Sequence, residues 1–195
     1  MNMTYDIKSV FYLDTQVTLP AGGAAGDMAS VQLDISSYID PIARGRSKGT
    51  GLAIYKVHYD LSTTSPGYRP NGDTLDGMVR LGLLAGVGLG NQQAFTGYGG
   101  NSEAATADNP LLVWGADYYA PESLVSNATV TNYNRVFCEP SEKVPYVAVR
   151  DNICLTGVYG AIPMSSATYC AVRLECAQIT LDQATLNQLL RTQTV

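Results

Sequence analysis

Apolar residues take every second place along three stretches of the chain. In Val31-Gln32-Leu33-Asp34-Ile35-Ser36 they alternate with polar partners. From Leu52 to Leu61 one set of alternate positions holds Ala53, Tyr55, Val57, Tyr59 and Leu61; the other holds Lys56, His58 and Asp60 beyond Leu52 and Ile54. From Tyr169 to Ile179, Cys170, Val172, Leu174 and Cys176 alternate with Tyr169, Ala171, Arg173, Glu175 and Ala177. A period of two puts successive side chains on opposite faces, so these are half-buried strands. Weaker strand patterns run over Ile7–Leu13, Met78–Leu84, Leu111–Tyr119, Arg135–Cys138, Tyr146–Val149 and Ile153–Tyr159. Turn-forming clusters separate them at Pro20–Gly26, Ser65–Gly72, Gly97–Ser102 and Ala161–Ser166.

Eight or nine strands with no long helix between them indicate an all-β sandwich or barrel. Two short helical pieces are expected. Ser37 caps a brief turn through Tyr38 and Ile39 that Pro41 limits. Thr180-Leu181-Asp182-Gln183 reads as a capping box, with Thr180 as the cap. Leu186, Leu189 and Leu190 then follow at helical spacing, and Arg191 complements the helix dipole, which predicts an amphipathic helix from Leu181 to about Thr192. There is no internal repeat or linker, so residues 1–195 read as one domain. Residues 1–28 form an N-terminal strand or extension, and 180–195 the C-terminal helix and tail. The connection from Gly90 to Pro110 is long for a compact domain, and loops of that length are usually functional.

Composition narrows the function. Charged residues are 15% of the chain, against about 25% in an average protein. So few charges suggest that much of the exterior faces other protein. The formal net charge is -5, and the first forty residues hold one cation, Lys8, against five aspartates. A bulk nucleic-acid binder needs a basic excess, so contact with nucleic acid is expected to be weak or absent. Tyrosine, at 13 residues against three Phe, suits contact surfaces, where the ring packs and the hydroxyl stays bonded. The N-terminus has no basic start followed by an apolar run, so no signal peptide is expected. The longest charge-free window, between Arg80 and Glu103, has four Gly among its ten apolar positions Leu81–Gly90 and turns polar after Asn91. It is not a membrane span.

The candidate chemistry is sparse. The one histidine, His58, alternates with Lys56 and Asp60 on a polar strand face. It reads first as a surface histidine bonded to a neighbour, with a catalytic base or a pH-sensitive contact as alternatives. No GxSxG elbow supports a hydrolase, and a cupin-like metal site would need several His ligands. Asn71-Gly72-Asp73-Thr74-Leu75-Asp76-Gly77 offers oxygen ligands without EF-hand spacing and reads as a turn; a calcium site at an interface is the alternative. In Gly86-Val87-Gly88-Leu89-Gly90 the third glycine falls one place early for a dinucleotide fingerprint. Arg44-Gly45-Arg46-Ser47-Lys48-Gly49 is the one basic cluster. It serves as a solvated loop, a contact between subunits, or a phosphate contact. Cys138, Cys154, Cys170 and Cys176 form no CxxC pair and are expected as free thiols. Sequons at Asn2 and Asn127 are read as accidental. No catalytic residue, metal or cofactor is assigned, and the chain is not expected to be an enzyme.

The order of these pieces carries a resemblance. The strand Ala29–Ser36 runs through Ser37-Tyr38-Ile39-Asp40 into the basic loop. The strand Leu52–Tyr59 follows, and Cys170–Cys176 leads into a Leu-rich tail. From about residue 29 to 190 this layout resembles the small single jelly-roll capsid proteins of icosahedral viruses. The resemblance implies an eight-stranded antiparallel jelly-roll sandwich with a short C-terminal helix. It also implies self-assembly of many copies into a shell, a place in the virion, and synthesis in the host cytoplasm. Many such proteins carry a basic genome-binding arm and this chain does not, so a second capsid protein, a lipid layer or small loops would meet the genome. The candidates for contact between subunits are Arg44, Arg46 and Lys48, Tyr98 in the long connection, and Leu186, Leu189 and Leu190. The alternative function is a carbohydrate- or receptor-binding β-sandwich using Trp114, Tyr118 and Tyr119, of which Trp114 and Tyr118 also suit a core.

Overall fold

The computed structural model describes residues 10–21, 23–40, 48–62, 77–86, 109–120, 133–160 and 167–193. Their strands are β1 (Val10–Leu19), β2 (Met28–Asp34), β3 (Lys48–Ser62), β4 (Gly77–Ala85), β5 (Leu112–Ala120), β6 (Tyr133–Cys138), β7 (Tyr146–Ala148), β8 (Asn152–Tyr159) and β9 (Thr168–Asp182). The helix α1 (Gln183–Thr192) ends the described chain, and a 3-10 turn spans Ser36–Tyr38. The strands form two sheets, β1-β9-β3-β7 and β2-β8-β4-β5-β6.

The pairing is nested. β1 pairs with β9, β2 with β8, β3 with β7, and β4 with β5, all antiparallel. A chain folded back on itself in this way and rolled so that successive pairs alternate between sheets is a jelly roll. The expected all-β, eight-stranded jelly-roll sandwich with a short C-terminal helix is therefore the observed fold. β6 is an addition beside β5, outside the eight.

The core lies between the sheets. Val17, Leu19, Leu52, Ile54, Val57, Leu174 and Cys176 enter it from the first sheet; Val79, Leu81, Leu83, Trp114, Ile153, Leu155 and Tyr159 enter from the second. Trp114 is fully buried and Tyr118 nearly so, and the Trp114 ring meets that of Tyr59 at 4.9 Å between centroids. These two aromatics belong to the core and not to a binding surface.

Three local expectations are corrected by backbone geometry. First, the alternation along β3 changes phase. A bulge at Tyr55 inserts one residue against β9 between Ile54 and Lys56, and an extra residue moves the later side chains to the opposite face. Leu52 and Ile54 therefore point into the core together with Val57, Tyr59 and Leu61, whereas Ala53 and Tyr55 belong to a cluster on the outer side. Second, β9 continues through Asp182, which stands opposite Lys48 in the ladder. Thr180 is thus a strand residue and the helix cap is Asp182, whose carboxylate accepts the backbone N–H of Thr185 at 2.7 Å. The 3-10 turn is likewise held by Asp34, which accepts the N–H of Ser36, and not by Ser37. Third, β1 runs on to Leu19. Phe11, Leu13, Val17 and Leu19 share the inner face, and Thr15 interrupts the apolar alternation that would have revealed it.

Candidate assembly surfaces

The outer face of the four-stranded sheet is divided between two kinds of residue. Toward Thr168, β9 sits between β1 and β3 in register, so side chains form cross-strand rows. Tyr12, Glu175 and Lys56 make one row; Asp14, Arg173 and His58 the next; Gln16, Ala171 and Asp60 the third. His58 Nε2 and Glu175 Oε1 lie 2.7 Å apart. The Arg173 guanidinium stands 5.8 Å from the centre of the Tyr12 ring. Small Ala171 between longer neighbours leaves a shallow depression of about 670 Å³ along these rows. Its lining holds no serine or cysteine among the described residues. A surface histidine bonded to its neighbour is what the sheet positions.

At the other end the same face is covered. Ala53, Val149, Ile179, Leu181 and Leu186 form a cluster of their own, with Tyr55, Val147, Leu189 and Leu190 packed around it. Leu186 of α1 is its keystone. It reaches so close to Gly49 that a Cβ there would stand 2.7 Å from its Cδ2 and 2.9 Å from the carbonyl oxygen of Asp40. Only glycine lets the helix settle at this depth. The chain just past the helix adds a polar clamp. The Gln193 side chain donates to the carbonyl of Val147 at 2.6 Å and accepts from the N–H of Val149 at 3.2 Å. The backbone carbonyl of Gln193 accepts from Arg150 Nε at 3.0 Å. One amide side chain thus occupies the edge that β7 would otherwise leave open.

The five-stranded sheet has an outer cluster as well. Leu84, Leu111, Leu112, Cys154 and Val158 are buried there, with Met28, Phe137 and Cys138 against them. Beside it, Asp117 of β5 accepts from Arg80 of β4 (2.5 and 3.0 Å) and Arg135 of β6 (2.9 Å). Both guanidiniums also lie over the ring of Phe137, whose tip comes so close to Gly115 that a Cβ there would clash with it.

The four cysteines are unpaired. Burial pushes the thiols of Cys170 and Cys176 up to about 12 and raises those of Cys138 and Cys154. None is activated as a nucleophile or ligand.

Of the residues singled out from sequence, Leu186, Leu189 and Leu190 come together, and all three pack on the chain's own sandwich. Lys48 opens β3, exposed and opposite Asp182. Arg44, Arg46 and Tyr98 lie outside the described residues, as do Asn71–Asp76, Val87–Gly90, Asn127 and most of the long connection. The Tyr119 side chain is also outside them. Gln193 and the Asp117 network carried no motif. Their signals were a charge inside an apolar strand, at Arg80 and Asp117, and a polar residue just past a helix that burial alone reveals.

No protein-family model matches the sequence, and no curated protein matches it. Among solved structures, the chain is similar to VP1 of Trichodysplasia spinulosa-associated polyomavirus in complex with GM1 oligosaccharide. The identity is 10%, the coverage is 93% of this chain and 97% of that one, and the TM-score is 0.38. Merkel cell polyomavirus VP1 in complex with disialyllactose gives 8%, 90%, 96% and 0.38. Apo New Jersey polyomavirus VP1 gives 8%, 89%, 100% and 0.39. By its own strand order and nested pairing the chain is a jelly roll, and in that layout it resembles viral capsid proteins.

Proposed function

We propose that the chain is a structural protein that assembles with itself, in many copies, into a virus capsid shell, as its major capsid protein. The observation that carries this reading is a jelly roll whose interior is filled by side chains. Jelly rolls serve as shell subunits, as lectins and as cupin-type enzymes, and the fold alone does not choose among them. Here the space between the sheets is occupied by Trp114, Tyr159 and the aliphatic core. The single histidine sits on the outside, where a cupin would need several pointing in. Function is left to the surfaces. The low charge of 15% supports an exterior largely covered by like copies.

In this reading the loop from Arg44 to Lys48 and the connection holding Tyr98 meet neighbouring subunits. Leu186 holds α1 in place, and the half-buried Leu189 and Leu190 keep area for a neighbour. The protein acts without a cofactor and resides in the virion after synthesis in the host cytoplasm. With a net charge of -5, it leaves most genome contact to a second capsid protein or another layer. Light scattering and electron microscopy of the purified chain test this directly. Closed particles far larger than a trimer are expected. A strictly monomeric chain at high concentration, across pH and salt, would overturn the reading in favour of a carbohydrate- or receptor-binding module. The depression lined by Tyr12, Asp14, His58 and Arg173 is where a glycan array would then be aimed.

A further inference from the structure

Each sheet of an open sandwich ends in edge strands, and an edge strand offers unpaired backbone groups to any second strand. In this molecule three of the four edges carry an obstacle. β7 is three residues long and clamped by Gln193. β6 is kinked by a register shift opposite Gly115 and Ala116, and carries Arg135. β2 has seven residues and ends on Asp34, which is turned back onto Ser36. β1 has none of these. Its ten residues pair with β9 without a register shift. Val10–Leu19 contains no Pro, Lys or Arg, and its single charge is Asp14. Val10 and Tyr12 are exposed at 62% and 58%. Among the described residues, the far side of β1 has no strand partner. Long, flat edges without protective residues pair with other chains.

We propose that β1 pairs antiparallel with β1 of a second copy about a two-fold axis centred on Thr15, joining two four-stranded sheets into one of eight. Symmetry and chemistry select this register. A two-fold axis perpendicular to the sheet carries outer face onto outer face, so residues on the same face must oppose each other and the axis must pass through a residue pair. Centred on Asp14, it would set two carboxylates directly opposite, which is destabilising. Centred on Leu13 or Gln16, it would pair seven residues. Centred on Thr15, it pairs nine, Phe11 to Leu19, and every cross-strand pair is compatible. Tyr12 meets Thr18 of the second copy, Asp14 meets Gln16, Phe11 meets Leu19 and Leu13 meets Val17. The strand is complementary to itself, which is the requirement for an isologous contact. The inference stands apart from the shell reading, because copies of a binding module could pair in the same way.

The test is a charge series on the exposed face, read by sedimentation of the full chain. Gln16→Asp places two pairs of carboxylates opposite each other and is expected to weaken the two-fold contact roughly tenfold. Asp14→Lys/Gln16→Asp turns both pairs attractive and is expected to restore it. Oxidising a mixture of Asp14→Cys and Gln16→Cys chains should give a cross-linked dimer that neither variant forms alone. Association unchanged by Gln16→Asp, or no cross-link specific to the mixture, would overturn the inference, and so would a monomeric parent chain. Shells that form normally from Gln16→Asp chains would overturn it while leaving the shell reading intact. A Thr15-centred dimer that never grows into particles would do the reverse.

Discussion

The two ends of one sheet face show how a single strand can serve two purposes. β9 runs the length of the outer face of the four-stranded sheet. From Tyr169 to Glu175 its outward positions are polar or small and lie open, facing Asp14, His58 and Asp60. From Ala177 to Leu181 its outward positions are Ala177, Ile179 and Leu181, all buried. The difference is α1, which covers the second half through Leu186. The change occurs beside the bulge at Tyr55, where β3 shifts its own phase by one residue. The covered half buries its outward positions under α1, with Gln178 and Thr180 half-buried on its other face, whereas the open half behaves as a sandwich face turned to its surroundings.

Breaking the cover should have the largest effect. Leu186→Ala removes the residue that fills the space over Gly49 and is expected to cost about 2–5 kcal/mol in denaturant unfolding. Arg173→Ala, on the open half, should stay within about 0.5 kcal/mol. Deleting the chain from Gln183 onward would expose Ala53, Ile179 and Leu181 together and should lower solubility or abolish assembly. Equal costs for Leu186→Ala and Arg173→Ala would mean that the two halves do not differ as described.

The inner face does not share the division. Cys170 lies beneath the open half and Cys176 beside the covered one, yet burial pushes both thiols up to about 12 from the ordinary 9.0. A thiol whose folded pKa is raised stays protonated in the folded chain while the unfolded chain ionises. The unfolded state then binds fewer protons, so stability falls with rising pH between the two values. Each thiol is expected to cost about 1.4 kcal/mol per pH unit between roughly pH 9 and 12. Cys170→Ala and Cys176→Ala should each flatten the alkaline slope of unfolding free energy by a similar amount. A slope that only one of them changes would place the dry interior under one half alone.

Gln193 sharpens the boundary of the covered half. It is 4% exposed and bridges Val147 and Val149 beside the helix. Gln193→Ala leaves a buried N–H and a carbonyl without partners, for an expected loss of about 1–3 kcal/mol. Hydrogen exchange at Val149 should accelerate with it. An unchanged exchange rate would show that the clamp is not what closes the β7 edge.

Much of this division was legible in the sequence and part of it was not. Alternation marked three strands, where Cys170-Val172-Leu174-Cys176 and its counterparts keep a period of two, and weaker patterns between turn clusters marked the other six, β1 only in part. Leu186, Leu189 and Leu190 announced a helix that needs a surface. The bulge at Tyr55 was hidden, because Ala53 and Tyr55 are apolar enough to continue the inner alternation that they leave. The cap was misplaced by two residues, because Thr180 has the chemistry of a cap but its backbone is held in a ladder opposite Thr50. A strand register depends on residues more than a hundred positions apart, and a local pattern does not contain it. The same holds for Asp117, whose partners Arg80 and Arg135 come from separate strands. The unprotected edge of β1 was equally invisible, since a strand's place in the sheet is a property of topology.

An equally small effect is expected at the end of the open half, in the row beside the bulge. The His58–Glu175 pair is short, at 2.7 Å, but its side chains are 46% and 27% exposed. Exposed ion pairs hold two side chains in one geometry against solvent and salt, and typically contribute about 0.2–1 kcal/mol. Glu175→Gln keeps the shape and a hydrogen-bonding oxygen while removing the charge, so unfolding free energy should change by less than about 0.5 kcal/mol. The comparison with Leu186→Ala then spans most of the range available to a single substitution, within one face of one sheet. If Glu175→Gln instead costs more than about 2 kcal/mol, the open half is itself covered in solution. Repeating the measurement across dilution would show whether a second copy covers it, because the excess cost would then fade as the protein concentration falls.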